Sequence, residues 1–256
     1  MNPTTDYKII YTGCFTEQDF HLEAVPGKRT YKSTTRKLIN LSWQEARLDP
    51  ALNIFNGPVV SLLSILLTRN HLTDRENFFL KVQMTDYKSF YGTNVRNSLT
   101  LPKTELANAL AVCAVVETKD GTIFTGKRNQ NLAETSGYWH VPGGTFDRIA
   151  NPLQIMKTEL FEELNIAESD ISQALCLGFA ENLIMKKPEF LCYFHLNQTE
   201  AQLIEKMVLA PDKDEHTEIA FVPLEELADF VEIHPFAPIG KAAVKLYLDY
   251  ITCNQI

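Results

Sequence analysis

Apolar and polar residues along this chain fall into short alternating runs separated by stretches of helical spacing, the mixture expected of an α/β fold. Residues 7–15 alternate as a strand. Thr35 to Asp49 predicts a helix whose imperfect apolar face is Leu38, Leu41, Ala46 and Leu48. A turn-rich link, Pro50 to Pro58, leads to two strands, VVSLLSILL and NFFLKVQMT, with NHLTDRE as their hairpin loop. DYKSFYGT (Asp86 to Thr93) follows, then a short helix near Leu101 to Leu110.

The second half is more regular. ALAVCAVVET and TIFTGKR predict paired strands joined by the turn KDGT. A helix carrying ELFEELN is buried through Leu153, Met156, Leu160 and Leu164. Two strands, CLGFAENLI and FLCYFHL, are expected to turn at Met185 to Pro188. Ala201 to Val208 reads as a helix. HTEIAFVPLEELADF reads as a strand, a proline turn and a short helix. The last helix is expected from Pro238 to about Ile251, buried through Ile239, Ala242, Ala243, Leu246 and Tyr250.

Candidate chemistry concentrates in Gly143 to Ile166. A Gly-Gly turn precedes the helix that carries Glu159, Glu162 and Glu163, spaced i, i+3, i+4 and therefore on one face. Three carboxylates so close repel one another unless a cation or proton intervenes. All-oxygen ligands suit a hard divalent ion, Mg²⁺ first, and Mg²⁺ commonly accompanies a substrate phosphate. The same glutamates also fit the solvated side of an ordinary amphipathic helix, and at this point both readings stand.

Composition narrows the classes. With 256 residues and a hydrophobic share of 45%, the chain can bury one large core, or a medium and a smaller one. A net charge of −8 without a long basic run argues against nucleic-acid binding. The longest apolar run, Val59 to Leu67, is too short to span a bilayer, and MNPTTDYKII has no signal-peptide pattern. Cys14, Cys113, Cys176, Cys192 and Cys253 form no CxxC pair, so reduced thiols and a cytoplasmic setting are expected.

The stretch GGTFDRIANPLQIMKTELFEELNI resembles the Nudix box. Gly144, Glu159, Leu160, Glu162, Glu163 and Ile166 match it, while Ala150, Thr158 and Asn165 stand where the box has glutamate, arginine and glycine. Asn is a mild change there, because it too tolerates the left-handed conformation at a helix end. Beyond the box, MTDYKSFYGTN, ETSGYWHVPGGTFD, LGFAEN, DEHTEIAFV and PIGKAAVKLY occur in an order similar to the divergent subgroup typified by the animal UDP-glucose/UDP-galactose pyrophosphatase. The coenzyme A subgroup marker positions hold Val141 and Ala133 instead, and the ADP-ribose marker region reads Ala180, Glu181, Asn182.

The resemblance implies a Nudix-type α/β/α sandwich with a mixed sheet over residues 106–256. Residues 1–105 are expected as an N-terminal α/β extension, packed on the core and helping to bind substrate. It implies a pyrophosphohydrolase using Mg²⁺, with Mn²⁺ as a substitute, that splits a UDP-sugar into UMP and a sugar 1-phosphate. Hydrolysis of ADP-ribose or an ADP-sugar, and nucleotide-sugar binding without catalysis, remain as alternatives. Glu159, Glu162 and Glu163 would hold the metal, joined by the Gly143 carbonyl. Gly144 and Arg128 would meet the phosphates. Tyr87, Phe90 and Asn94 would meet the base or sugar, although both aromatic residues also fit a packing role. The general base is left open among Glu159, Glu215, His216 and Glu218. A monomer or homodimer is expected, with a small-molecule substrate and no nucleic-acid or membrane partner.

Overall fold

A computed structural model describes residues 6–70, 75–131 and 133–254. The strands β1 (Tyr7–Phe15), β2 (Phe20–Lys28), β3 (Pro58–Asn70) and β4 (Arg75–Asp86) occupy the N-terminal part, with α1 (Ser33–Leu48) between β2 and β3. A short helix α2 (Tyr87–Phe90) runs into a π-helical turn, Tyr91–Val95. Then come β5 (Ala111–Glu117), β6 (Thr122–Arg128), β7 (Trp139–His140), β8 (Gly143–Thr145), α3 (Pro152–Leu164), β9 (Ile171–Asn182) and β10 (Lys187–Leu196). The chain continues through α4 (Glu200–Met207), β11 (His216–Pro223), α5 (Leu227–Ile233) and α6 (Pro238–Asn254).

Among the described residues the main sheet has eight strands, in the order β1-β9-β10-β5-β6-β11, with β7 paired to β6 and β8 to β5. It is mixed, since β10 and β5 are parallel and the other pairings antiparallel. One face is covered by α6 and α5 through Ala242, Tyr247 and Leu227 against Val115, Leu191 and Tyr193. The other face meets α3, and beside it a three-stranded sheet, β2-β4-β3, through Phe20, Phe78 and Leu80 against Phe190 and Phe179. This is the expected α/β/α arrangement. The N-terminal segment is woven into it: β1 is an edge strand of the main sheet, and the Val60 carbonyl accepts from the Leu110 amide at 2.8 Å.

Several local readings change. The face of α1 is Thr35, Ile39, Ser42, Trp43 and Ala46, while Leu41 and Leu48 are exposed, because the helix packs on the π turn, where Trp43 meets Tyr91 edge-on at 6.1 Å. The helix expected at 101–110 is confined to a 3₁₀ turn, Lys103–Glu105. Beyond it the chain is held by specific bonds: the Leu62 amide bonds the Asn108 carbonyl, and the Ala107 and Asn108 amides bond the Thr93 and Asn94 side chains. The β9–β10 turn lies at residues 183–186, so Lys187 and Pro188 belong to the strand. Strand β2 has no regular apolar alternation and was not expected; its parallel pairing with β4 places it. β3 and β4 form the expected antiparallel pair, and residues 71–74 of the expected loop NHLTDRE lie outside the described residues. No helix among the described residues is long and apolar enough to cross a membrane.

Candidate active site

Helix α3 starts where Asn151 caps it, its side chain accepting from the Gln154 amide at 2.9 Å, with Pro152 at the first helical position. It ends at Asn165, whose φ of 55° is left-handed. Its apolar stripe Leu153, Met156, Leu160 and Leu164 is buried, which turns the acidic face toward β8 and the 3₁₀ turn Lys213–Glu215.

Glu163 is the best-held carboxylate, only 2% exposed. One oxygen accepts from the Gly143 amide at 3.2 Å, and the other meets His216 Nε2 at 3.1 Å. His216 Nδ1 is buried without a hydrogen-bond partner among the described residues. Glu159 lies one turn earlier, against Gly144. A Cβ on Gly144 would stand 2.2 Å from the Glu159 carboxylate, and one on Gly143 2.4 Å from the Val112 carbonyl, so the double glycine is a requirement of close approach. Burial, then the charges of Glu163, Glu162, Glu215 and Asp147, push Glu159 up to about 8. Glu162 is half-buried and also raised, by burial and then by Asp212 and Asp147.

Among the described residues, no three His, Cys, Asp or Glu side chains stand together closely enough to hold a metal ion. In chemistry the donor set fits one: carboxylates crowded enough to raise one another's proton affinity gain from a hard divalent cation.

A cavity of about 480 Å³ opens beside this helix. Of the residues expected from the sequence, Glu159, Gly143, Gly144, Arg128, Tyr87 and Glu215 line it. Arg128, at the end of β6, bonds the Glu215 carboxylate at 3.2 Å and the Glu134 carbonyl at 3.4 Å. Glu215 is pushed up to about 7 by burial and then by Glu163, against the opposing pull of Arg128. Tyr87 has its phenol raised by burial and then by Glu134.

The remaining expected residues lie elsewhere. Glu163 and His216 sit behind the cavity wall, and Glu162 outside it. Phe90 is fully buried beneath Lys187, whose Nζ is 5.0 Å from the ring centre. Asn94 does not reach the cavity: its amide donates to the Met185 and Lys186 carbonyls, and its oxygen accepts from Asn108 N at 3.1 Å. Glu218 is exposed and paired with Lys127 at 2.6 Å.

Other lining residues were not anticipated. Lys187 forms a largely buried ion pair with Glu134 at 2.7 Å. Glu189 is buried beside it and pushed up to about 7, chiefly by burial. His140 is held near 3 by burial and then by Arg128, so its ring is neutral. Phe55, 80% exposed, stands at the cavity from the Pro50–Pro58 link. The available signal is a lysine and a glutamate flanking an apolar strand; the expected turn, Met185 to Pro188, takes in Lys187 and leaves Glu189 between turn and strand.

Comparison with known proteins places this geometry. The NUDIX domain pattern matches residues 107–245. The bovine uridine diphosphate glucose pyrophosphatase NUDT22 is 28% identical, over 82% of this chain and 84% of its own. The human protein of that name is 27% identical over 79% of this chain and 78% of its own. Among solved structures, a mutT/nudix family protein from Listeria innocua is 21% identical, covering 57% of this chain and 96% of its own, with a TM-score of 0.43. The double glycine, the acidic helix face and the match over residues 107–245 place the chain in the Nudix family, as a pyrophosphohydrolase on a divergent branch similar to NUDT22.

Proposed function

We propose that the protein hydrolyses the pyrophosphate bond of a nucleotide sugar, UDP-glucose or UDP-galactose, to UMP and the sugar 1-phosphate. One observation carries the reading: Glu159 and Arg128 line a single cavity with Tyr87 of the N-terminal segment, in a chain similar to uridine diphosphate glucose pyrophosphatases. Residues 106–256 are the catalytic domain in this reading, and the segment before residue 105 supplies the opposite wall through Phe55 and Tyr87. An aromatic ring there stacks on a pyrimidine base. Free cysteines, three of them buried, support a cytoplasmic setting.

Glu159, Glu162 and Glu163 would hold Mg²⁺ or Mn²⁺, with the Gly143 carbonyl as a further ligand. A bound cation supplies charge neutralisation at the pyrophosphate and a more acidic water. Arg128 binds the phosphates: Glu215 and the Glu134 carbonyl engage two of its nitrogens, and the guanidinium fork offers further donors. Glu215 takes the water's proton, being the cavity-lining member of the three loop candidates and raised toward neutrality. His216 is engaged with Glu163 and Glu218 with Lys127, so His216 orients a ligand and Glu218 stays outside the chemistry.

The test is a base-swapped panel of UDP-glucose, ADP-glucose and ADP-ribose with Mg²⁺. Release of UMP from UDP-glucose at the highest kcat/KM supports the reading; preference for an adenine substrate removes the uridine assignment.

A further inference from the structure

Glu189 has no part in the chemistry above, yet its placement is costly. It stands near the start of β10, between Ala111 of β5 and Ala180 of β9, and lines the cavity while only 7% exposed. The nearest cation on its strand, Lys187, is committed to Glu134 at 2.7 Å. Among the described residues, no cation pairs with the Glu189 carboxylate; its close neighbours are the Cys113 thiol and the Lys187–Glu134 pair. A buried carboxylate without an ion pair lowers stability, so an amide or apolar side chain at this position would hold the fold better. Such groups mark places where a ligand completes the hydrogen bonding.

The chemistry of the missing partner is constrained. An ionised carboxylate only accepts, and its two oxygens take two bonds side by side. It repels phosphate, which leaves the pyrophosphate to Arg128 and Glu159. Uracil offers a single ring N–H. Vicinal hydroxyls offer two donors at matching spacing, as when an acidic residue binds a nucleotide ribose. We propose that Glu189 binds a vicinal diol of the nucleotide sugar, beside the Lys187–Glu134 pair that borders the same part of the cavity. This rests on the nucleotide-sugar reading, and the diol belongs to the ribose or to the hexose.

Glu189→Gln in the full chain tests it, because glutamine keeps the volume and removes the charge and one acceptor. Binding of UMP and of 2′,3′-dideoxyuridine monophosphate is measured by calorimetry, and UDP-glucose hydrolysis by kcat/KM. If the ribose is the source, the variant weakens UMP binding about tenfold or more, while dideoxy-ligand binding matches the unmutated protein. If the hexose is the source, UMP binding is unchanged and kcat/KM for UDP-glucose falls by that factor. In both cases the unliganded melting temperature holds or rises. Unchanged affinities and kinetics overturn the proposal alone, as does equal weakening toward UMP and its dideoxy form. A lower melting temperature with unchanged affinities makes Glu189 structural and also overturns it. An unmutated protein that neither binds UMP nor hydrolyses UDP-glucose removes the nucleotide-sugar reading and this inference together.

Discussion

Glu163 is held from two directions, by the Gly143 amide and by His216, and these contacts differ in how visible they are in a sequence. The glycine pair and the glutamates are local to one helix and its entry turn, so spacing alone brings them together. His216 lies 53 positions away, and its pairing depends on β11 lying along β6 in register. Gly126 is the hidden signal: a Cβ there would stand 2.3 Å from the His216 ring. As the residue orienting a ligand, His216→Ala is expected to lower metal affinity or activity about 10- to 100-fold, measured by titrating Mg²⁺ against turnover. Gly144→Ala should separate catalysis from stability. The clash is with the end of the Glu159 side chain, which can swing away, so the melting temperature should stay near that of the unmutated protein while turnover collapses. A large drop in melting temperature with turnover preserved would contradict this placement of Glu159.

At the scale of elements, α3 was legible almost entirely. Its stripe and the left-handed Asn165 at its end follow from spacing and capping chemistry. Asn165→Ala is expected to cost about 1–2 kcal/mol, since alanine at φ 55° meets the left-handed penalty and loses the bond to the Lys206 carbonyl. Asn165→Gly should cost less, and chemical denaturation of the pair measures the difference. Helix α1 was legible as a helix but not in its orientation. Leu38, Leu41 and Leu48 suggested one face, whereas close packing on the Tyr91–Val95 turn selects Ile39 and Trp43. Ile39→Ala should therefore destabilise by about 2–5 kcal/mol, and Leu48→Ala should leave the denaturation midpoint nearly unmoved. The π turn itself gave no periodic signal, and that obscured the partner of α1.

Over the whole molecule, the cavity combines residues from the sheet, α3, the first turn of α6 and the N-terminal segment, and this meeting is not encoded in any local pattern. Lys187 fell in the expected turn and Glu189 just before the expected strand, because the register of β9 on β10 is not readable from either strand. Buried acids also leave a signature in pH dependence. Glu189 rises from an ordinary 4.5 to about 7 in the folded state, so the folded state binds more protons than the unfolded one between those values. Its stabilising effect is full below pH 4.5 and lost as pH rises through 7. The melting temperature of Glu189→Gln, relative to the unmutated protein, should therefore climb across that window and level off above it. UDP-glucose hydrolysis by the unmutated protein and by Glu159→Gln, with Mg²⁺, with Mn²⁺ and with chelator, is the decisive measurement. UMP and glucose 1-phosphate formed only with a divalent cation, and lost in the variant, is the predicted result. Product formation that survives chelation or the loss of Glu159, or no product under any of these conditions, would contradict it.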